Sequence, residues 1–183
     1  MKRFFVPKAC INYFQKQTGF TLIEAVIVLA MIGILAGIAT PAIIHWLPDY
    51  RLRQAAMDIR SNMQKARIEA IKRNTYISIV FTPATYTPSG NVGSYKIFVD
   101  DGNGVQDGGE QLLTQVTMPK SVSLYFDNFA GHTTGFNNRG LPWKNNRWGS
   151  VYLRNSNSRY YKLSLSKAGN ISIQKSNDGA TWN

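Results

Sequence analysis

The chain has 183 residues, 21 Lys+Arg against 10 Asp+Glu, a formal net charge of +11, 44% apolar residues and one Cys. The length suits one domain plus an appendage, while 15 Gly and the single Cys exclude collagen-like and disulfide-scaffold architectures. With 12% aromatic residues the chain can build a core, which excludes wholesale disorder; the charge favours an acidic partner or surface without identifying it.

Residues 1–19, MKRFFVPKACINYFQKQTG, carry Lys2, Arg3, Lys8 and Lys16 and no acid. Residues 20–47 follow as an apolar run whose one formal charge before His45 is Glu24. A run of this length can cross a roughly 30 Å hydrocarbon core. The basic residues precede it and the next, Arg51, lies beyond it, so the positive-inside bias places the N-terminus in the cytoplasm and the remainder across the membrane. Three processing outcomes compete. A secretory signal is cut after its apolar core at small residues, and Gly37-Ile38-Ala39, followed closely by Pro41, is a poor site. A plain anchor has no reason to carry an acid near its start. Cleavage between Gly19 and Phe20, ahead of the apolar run, leaves the hydrophobic segment on the mature chain.

Gly19-Phe20-Thr21-Leu22-Ile23-Glu24, between a basic leader and the apolar run, resembles the processing site of type IV pilins and type II secretion pseudopilins. The resemblance implies that a prepilin peptidase cuts after Gly19 and methylates the new terminus, Phe20. Counted from Phe20 as the first residue, Glu24 is the fifth and Pro41 the twenty-second, places where the family carries its acid and often a proline. The chemistry of Glu24 can be argued independently. A charged side chain in the apolar region costs about 2.5–3.5 kcal/mol on insertion scales and persists if it finds a cation. The α-amine of a neighbouring subunit's Phe20 supplies one, and methylation keeps its charge. Pairing in low dielectric is short-ranged, so it could set the axial step between subunits. The alternative is that Glu24 snorkels to the headgroups with no partner. Gly33, Ala36 and Gly37 permit close helix packing, and Pro41 removes a backbone donor and can kink or locally melt the helix.

Past the apolar run, Leu52, Ala55, Ala56, Ile59, Met63, Ala66 and Ala70 recur at helical spacing among charged positions, the pattern of an amphipathic helix. A helix over residues 21–73 would reach roughly 80 Å, with Pro48 as a second point of interruption. From residue 75 the period becomes two. Strands are expected at Thr75–Thr82, Ser94–Asp100, Leu112–Met118, Ser121–Phe126, Ser150–Arg154, Arg159–Ser166 and Asn170–Lys175, separated by Gly, Pro, Asn and Asp turns. The expected fold is α+β: a pilin-like long N-terminal helix, with a membrane half and an amphipathic half, packed on an antiparallel β-sheet head. The expected divisions are a leader at 1–19, a transmembrane and assembly helix at 20–47, and a periplasmic head at 48–183. The head comprises an amphipathic helix at 48–73 and a β-rich part at 75–183.

Three stretches of the head resemble the FimT/GspH group within the pilin superfamily. They are the acidic loop and Leu-Leu strand from Asp100 to Leu113, the turn Gly135-Phe136-Asn137-Asn138-Arg139-Gly140, and the closing hairpin from Tyr161 to Gly169. The resemblance implies a minor pilin or pseudopilin that primes or caps a type IV pilus or a type II secretion pseudopilus. Its partners would be other pilins in a helical filament, the prepilin peptidase and the inner membrane. Many major pilins close a C-terminal loop with a disulfide; here Cys10 falls in the leader.

The Asp100–Glu110 loop invites a calcium reading, because Asp101, Asn103 and Glu110 fall at ligand spacing around Gly104. Val99 occupies the first ligand place, which favours an acidic hairpin loop without a metal. Residues 129–183 carry Arg139, Lys144, Arg147, Arg154, Arg159, Lys162, Lys167 and Lys175 against Asp178, interleaved with Trp143, Trp148, Tyr152, Tyr160, Tyr161 and Trp182. Cations beside aromatics suit phosphate attraction and base stacking, so a second reading is a DNA-binding pilus component using Arg139, Lys144, Arg147, Arg154, Arg159 and Lys162. Some FimT proteins bind DNA through a Gly-Arg-x-Arg motif; the matching Gly169-Asn170-Ile171-Ser172 lacks both arginines. The bland alternatives are a solvated or subunit-facing surface, and a plain membrane-anchored periplasmic protein. His45 and His132 have no nucleophile, phosphate-loop or metal-ligand motif around them, so no enzyme and no cofactor is expected.

Overall fold

The computed structural model describes residues 19–143 and 148–183. They fall into two compact units, one ending at Ala42 and one running from Ile43 to Asn183. A single helix, α1 (Leu22–Arg73), contributes to both.

In the first unit every described residue is exposed. Leu22–Ala42 is apolar on all sides, and α1 is long and apolar enough to cross a membrane. Its start is capped locally. The Thr21 Oγ1 accepts a hydrogen bond from the Glu24 backbone N–H at 3.3 Å, and the Thr21 carbonyl accepts from Ala25 N–H at 3.2 Å. Thr21-Leu22-Ile23-Glu24 therefore has the spacing of a capping box. The helix continues through both Pro41 and Pro48, so the melting and interruption expected there do not occur. Each proline withdraws one amide donor, and nearby carbonyls accept from side chains. Thr40 Oγ1 donates to the Ala36 carbonyl at 2.7 Å, and the Asn157 amide donates to the His45 carbonyl at 2.9 Å.

The second unit takes the remainder of α1 and eight strands: β1 (Tyr76–Thr82), β2 (Ser94–Asp100), β3 (Leu112–Thr117), β4 (Val122–Asp127), β5 (Thr133–Phe136), β6 (Gly149–Asn155), β7 (Tyr160–Leu165) and β8 (Ile171–Ser176). They form two four-stranded sheets, in the orders β3-β2-β1-β5 and β4-β6-β7-β8, antiparallel throughout. The head is thus two sheets rather than one. Strand β5 is the addition that the period-two pattern did not reveal: Thr-Thr-Gly-Phe is short, contains a glycine and is buried at all four positions, so it shows no alternation.

The inward stripe of α1 closes the core. Leu52, Ala56, Ile59 and Ala70 are fully buried, with Ala55, Met63 and Ala66 nearly so. They join one hydrophobic cluster with Ile77, Ile79 and Phe81 of β1, Leu124 of β4, Val151 and Leu153 of β6, and Leu163 and Leu165 of β7. Polar ties fix the helix to both sheets. Asn62 donates to the Tyr95 hydroxyl at 2.8 Å, and Arg67 donates to the Gly169 carbonyl at 3.2 Å. The Asp49 carboxylate accepts from the Asn155 and Asn157 side-chain amides at 2.6 and 3.1 Å. Burial pushes the Tyr95 hydroxyl up, the Asn62 bond opposing it.

The Gly135–Gly140 stretch has a packing cause. A Cβ on Gly135 would stand 2.3 Å from the Ile77 carbonyl oxygen and 2.5 Å from Trp143 Nε1. Gly140 has φ +71°, in the left-handed region that side chains resist. Gly135→Ala is expected to lower stability by about 1–3 kcal/mol by overpacking β5 on β1. Chemical denaturation of the full chain measures it, and an unchanged midpoint contradicts the close approach.

Candidate functional site

The expected processing and assembly residues lie together at the start of α1. Gly19 and Phe20 precede the first turn, and Phe20 is 86% exposed. Glu24 lies in that first turn and is exposed, where its charge complements the helix N-terminus. Thr21 is a further residue at this first turn, and Thr-x-x-Glu before an apolar run is its signal in the sequence. A Cβ built on Gly33 or Gly37 meets nothing within 4 Å. No contact within the described residues therefore requires these glycines to be small.

The cationic residues of the C-terminal third divide. Lys144 and Arg147 lie outside the described residues. Arg139 is exposed in the Asn137–Leu141 turn, where the Asn137 side-chain oxygen accepts from the Arg139 and Leu141 amides. Arg154 and Lys162 share the outward face of the second sheet, since Arg154 pairs with Tyr160 and Tyr152 with Lys162 in register. Arg154 is built into that face. Its guanidinium lies 4.0 Å from the Tyr86 ring centroid and 5.3 Å from that of Tyr160, and its Nη2 donates to Ser158 Oγ at 3.2 Å. Lys162 Nζ stands 5.6 Å from the Trp182 ring. Arg159 is exposed in the β6–β7 turn and donates to Asn177 Oδ1.

The aromatic residues on this face pack against one another in tilted and edge-to-face contacts. Tyr125 contacts Tyr152 and Tyr160 at centroid distances of 6.4 and 6.3 Å, and Tyr152 meets Phe126 and Trp182 at 5.4 and 5.7 Å. Tyr86 and Tyr125 lie outside residues 129–183; strand pairing brings Tyr125 of β4, and the β1–β2 connection brings Tyr86, to the cationic positions. Burial is the main influence pushing the Tyr125 hydroxyl up, with smaller effects from Tyr160 and Tyr152.

The acidic loop uses its carboxylates on its own backbone. Buried Asp100 accepts from the Gly102, Asn103 and Gly104 amides through one oxygen and from Ser78 Oγ through the other. Glu110 accepts from the Asp101 and Asp107 amides at 3.0 Å each. Asp100, Asp101 and Glu110 lie close enough to offer oxygens to one ion; their bonds to the loop and Ser78 supply a structural reason for the cluster. His132 Nδ1 lies 2.8 Å from the buried Asp127 carboxylate. His45 sits on α1, where its carbonyl meets Asn157. Neither histidine is placed beside a nucleophile by the described contacts.

Comparison with known proteins places these features in a family. The family model for the type II transport protein GspH matches residues 55–169. The chain belongs to the GspH family. A second model, the prokaryotic N-terminal methylation motif, matches residues 14–40. A curated relative, the pilin-like protein PilA1 of Thermus thermophilus, is 36% identical over 99 residues, covering 52% of this chain and 57% of PilA1. The chain thus spans little more than half the length of that relative. Two crystal forms of the type IV minor pilin FimU of Pseudomonas aeruginosa are similar at 21% and 19% identity, with TM-scores of 0.45 and 0.46. They cover 67% and 68% of this chain and 91% and 89% of theirs. The GspH match includes the amphipathic stripe of α1 from Ala55 onward, the acidic loop and the glycine turn, and ends at Gly169, before β8 and the C-terminal tail.

That tail lies against the aromatic face through Gly179, which meets the Tyr160 ring, and through Trp182. Asp178 organises it. Hydrogen bonds from the Ser176 and Thr181 hydroxyls, then from the Ala180 and Thr181 amides, hold its carboxyl well below the usual carboxylate range. A depressed folded-state pKa stabilises the fold above the unfolded value and loses that effect as pH falls through the folded one. The unfolding-temperature difference between the native chain and Asp178→Asn is therefore expected to hold from about pH 5 upward and to shrink below about pH 4. A difference absent at neutral pH, or undiminished in strong acid, contradicts the role of the carboxylate.

Proposed function

We propose that this GspH-family chain is a minor pilin or pseudopilin, a structural subunit that primes or caps a type IV pilus or type II secretion pseudopilus. Proteins of this superfamily are structural rather than enzymatic. One observation carries the reading: the methylation motif leads into an apolar helix segment with no buried residue, whereas the head closes a core of its own. A segment of that kind must find either lipid or sibling helices. Cleavage between Gly19 and Phe20 frees an amine, Thr21 fixes the first turn, and Glu24 offers the carboxylate that pairs with a neighbour's amine. The leader would be cytoplasmic, the anchor in the inner membrane and the head periplasmic before extraction into the filament.

Intact mass of the protein recovered from membranes tests this directly. The expected chain begins at N-methylated Phe20; a start at Met1, or near residue 40, overturns the reading and favours a plain anchored or secreted protein. Glu24→Ala should leave cleavage intact while reducing incorporation into filaments several-fold, and normal incorporation contradicts the charge pair.

A second reading, DNA binding, is supported by Arg154, Lys162 and the Tyr and Trp rings on one sheet face. Arg154 is packed between rings, so its loss would perturb the surface as well as the charge. The full chain should then bind DNA with a steep salt dependence, and Arg159→Gln with Lys162→Gln should weaken binding and flatten the salt slope by about two. Absence of binding at low salt removes this reading.

A further inference from the structure

We propose that the groove between α1 and β7–β8 in the second unit holds the phosphate of an anionic phospholipid headgroup. The inference rests on the membrane-anchored reading above and adds a binding site to it. The groove, of about 460 Å³, is lined by Trp46, Tyr50 and Arg53 on α1 and by Arg159 and Lys175 on the sheet side, with Asp49 at its wall.

Its composition and place both point to lipid. Trp46 and Tyr50 are 61% and 46% exposed, with ring centroids 5.1 Å apart. They stand at the end of the 20–47 apolar run, where amphipathic rings occupy the membrane–water boundary. Arg53 lies two helical turns past Trp46, roughly 10 Å along the axis, and its long side chain can reach back into the headgroup layer. The one carboxylate in the lining, Asp49, is held to the wall by the Asn155 and Asn157 amides, from which its Oδ1 accepts; its charge offsets one of the three cations and leaves the groove net positive. Among the described residues no ion pair neutralises Arg53, Arg159 or Lys175. Asn177 accepts from Arg159 and steadies the guanidinium without cancelling its charge. Cations beside the translocated end of a span work against the orientation that the basic leader sets. Three of them from distant parts of the sequence, converging on one groove beside two interfacial rings, form a receptor for a phosphodiester anion. Free phosphate shares that chemistry; the rings at the mouth select the lipid.

The test uses the full chain in nanodiscs of phosphatidylcholine containing a minor fraction of phosphatidylglycerol with matched acyl chains. Lipids retained on the protein are counted by native mass spectrometry. The expected result is retention of phosphatidylglycerol about fivefold above its bulk fraction, the size of one cation's attraction to an anionic surface. Arg53→Gln with Lys175→Gln should return retention to the bulk fraction. Arg53→Lys should keep it, and so should Lys65→Gln with Lys72→Gln, which removes equal charge roughly 18 and 29 Å further along α1. Insertion without enrichment, or equal loss in both double variants, overturns the groove while leaving the anchor standing. Failure to insert into any nanodisc overturns the anchor and the groove with it. Inorganic phosphate titrated into the chain in pure phosphatidylcholine should give no saturable signal sensitive to Arg53 and Lys175; such a signal would reassign the groove to a free anion.

Discussion

The structure depends on one helix having to satisfy two environments. Over Leu22–Ala42 α1 presents apolar side chains on every side and buries none of them. From Leu52 to Ala70 the same helix buries a single stripe and exposes the rest. Four of the seven buried positions are alanine, and Leu52, Ile59 and Met63 are the larger inserts between them. Because that stripe meets β1 of one sheet and β4, β6 and β7 of the other in one cluster, neither sheet can bury its inner face without the helix. The amphipathic half is thus a core element of the head, and the apolar half is left to the membrane or to other helices.

The sequence disclosed what is periodic or local. The inward stripe of α1 was legible in full because its seven residues repeat at helical spacing. The seven predicted strands appear within a residue or two of their expected ends, because alternation and turn residues are properties of neighbours. The division into two sheets was not legible, since β1 pairs with β5 across more than fifty residues and no local pattern records that partner. The junction of Asp49 with Asn155 and Asn157 has the same character: a charged residue on a helix and an Asn-Ser-Asn-Ser turn, each unremarkable until the fold joins them. The prolines each remove a donor, a local fact, yet the helix runs on through both; near Pro48 the His45 carbonyl accepts a bond from the distant Asn157.

Composition alone also merged charges that the fold separates. Arg67 and Arg154 are structural, one reaching the Gly169 carbonyl and the other packed over Tyr86. Glu69 is held below the usual carboxylate range chiefly by its hydrogen bond to Arg73, with Lys72 and Lys65 assisting; at an exposed helix end this adds little stability. The acidic loop satisfies its own amides. Once these groups are set aside, the described cations in no ion pair are Arg51, Arg53, Arg60, Lys96, Lys120, Arg139, Arg159, Lys162, Lys167 and Lys175, of which Arg53, Arg159 and Lys175 line one groove.

Their distribution bears on what the surface can recognise. Lys162 lies over a ring on a sheet face whose aromatic residues already pack edge to face and carry the C-terminal tail. A base seeking to stack there would compete with those contacts. Arg53, Arg159 and Lys175 instead open onto a groove whose volume is unfilled by the chain's own side chains. An anion entering that groove displaces no ring and breaks no ion pair; it meets the Asp49 carboxylate and the Arg159–Asn177 bond there, and three cations outnumber that one acid. On the proposed reading, Arg53, Arg159 and Lys175 are therefore better placed for a compact phosphate than for a splayed polymer across the sheet.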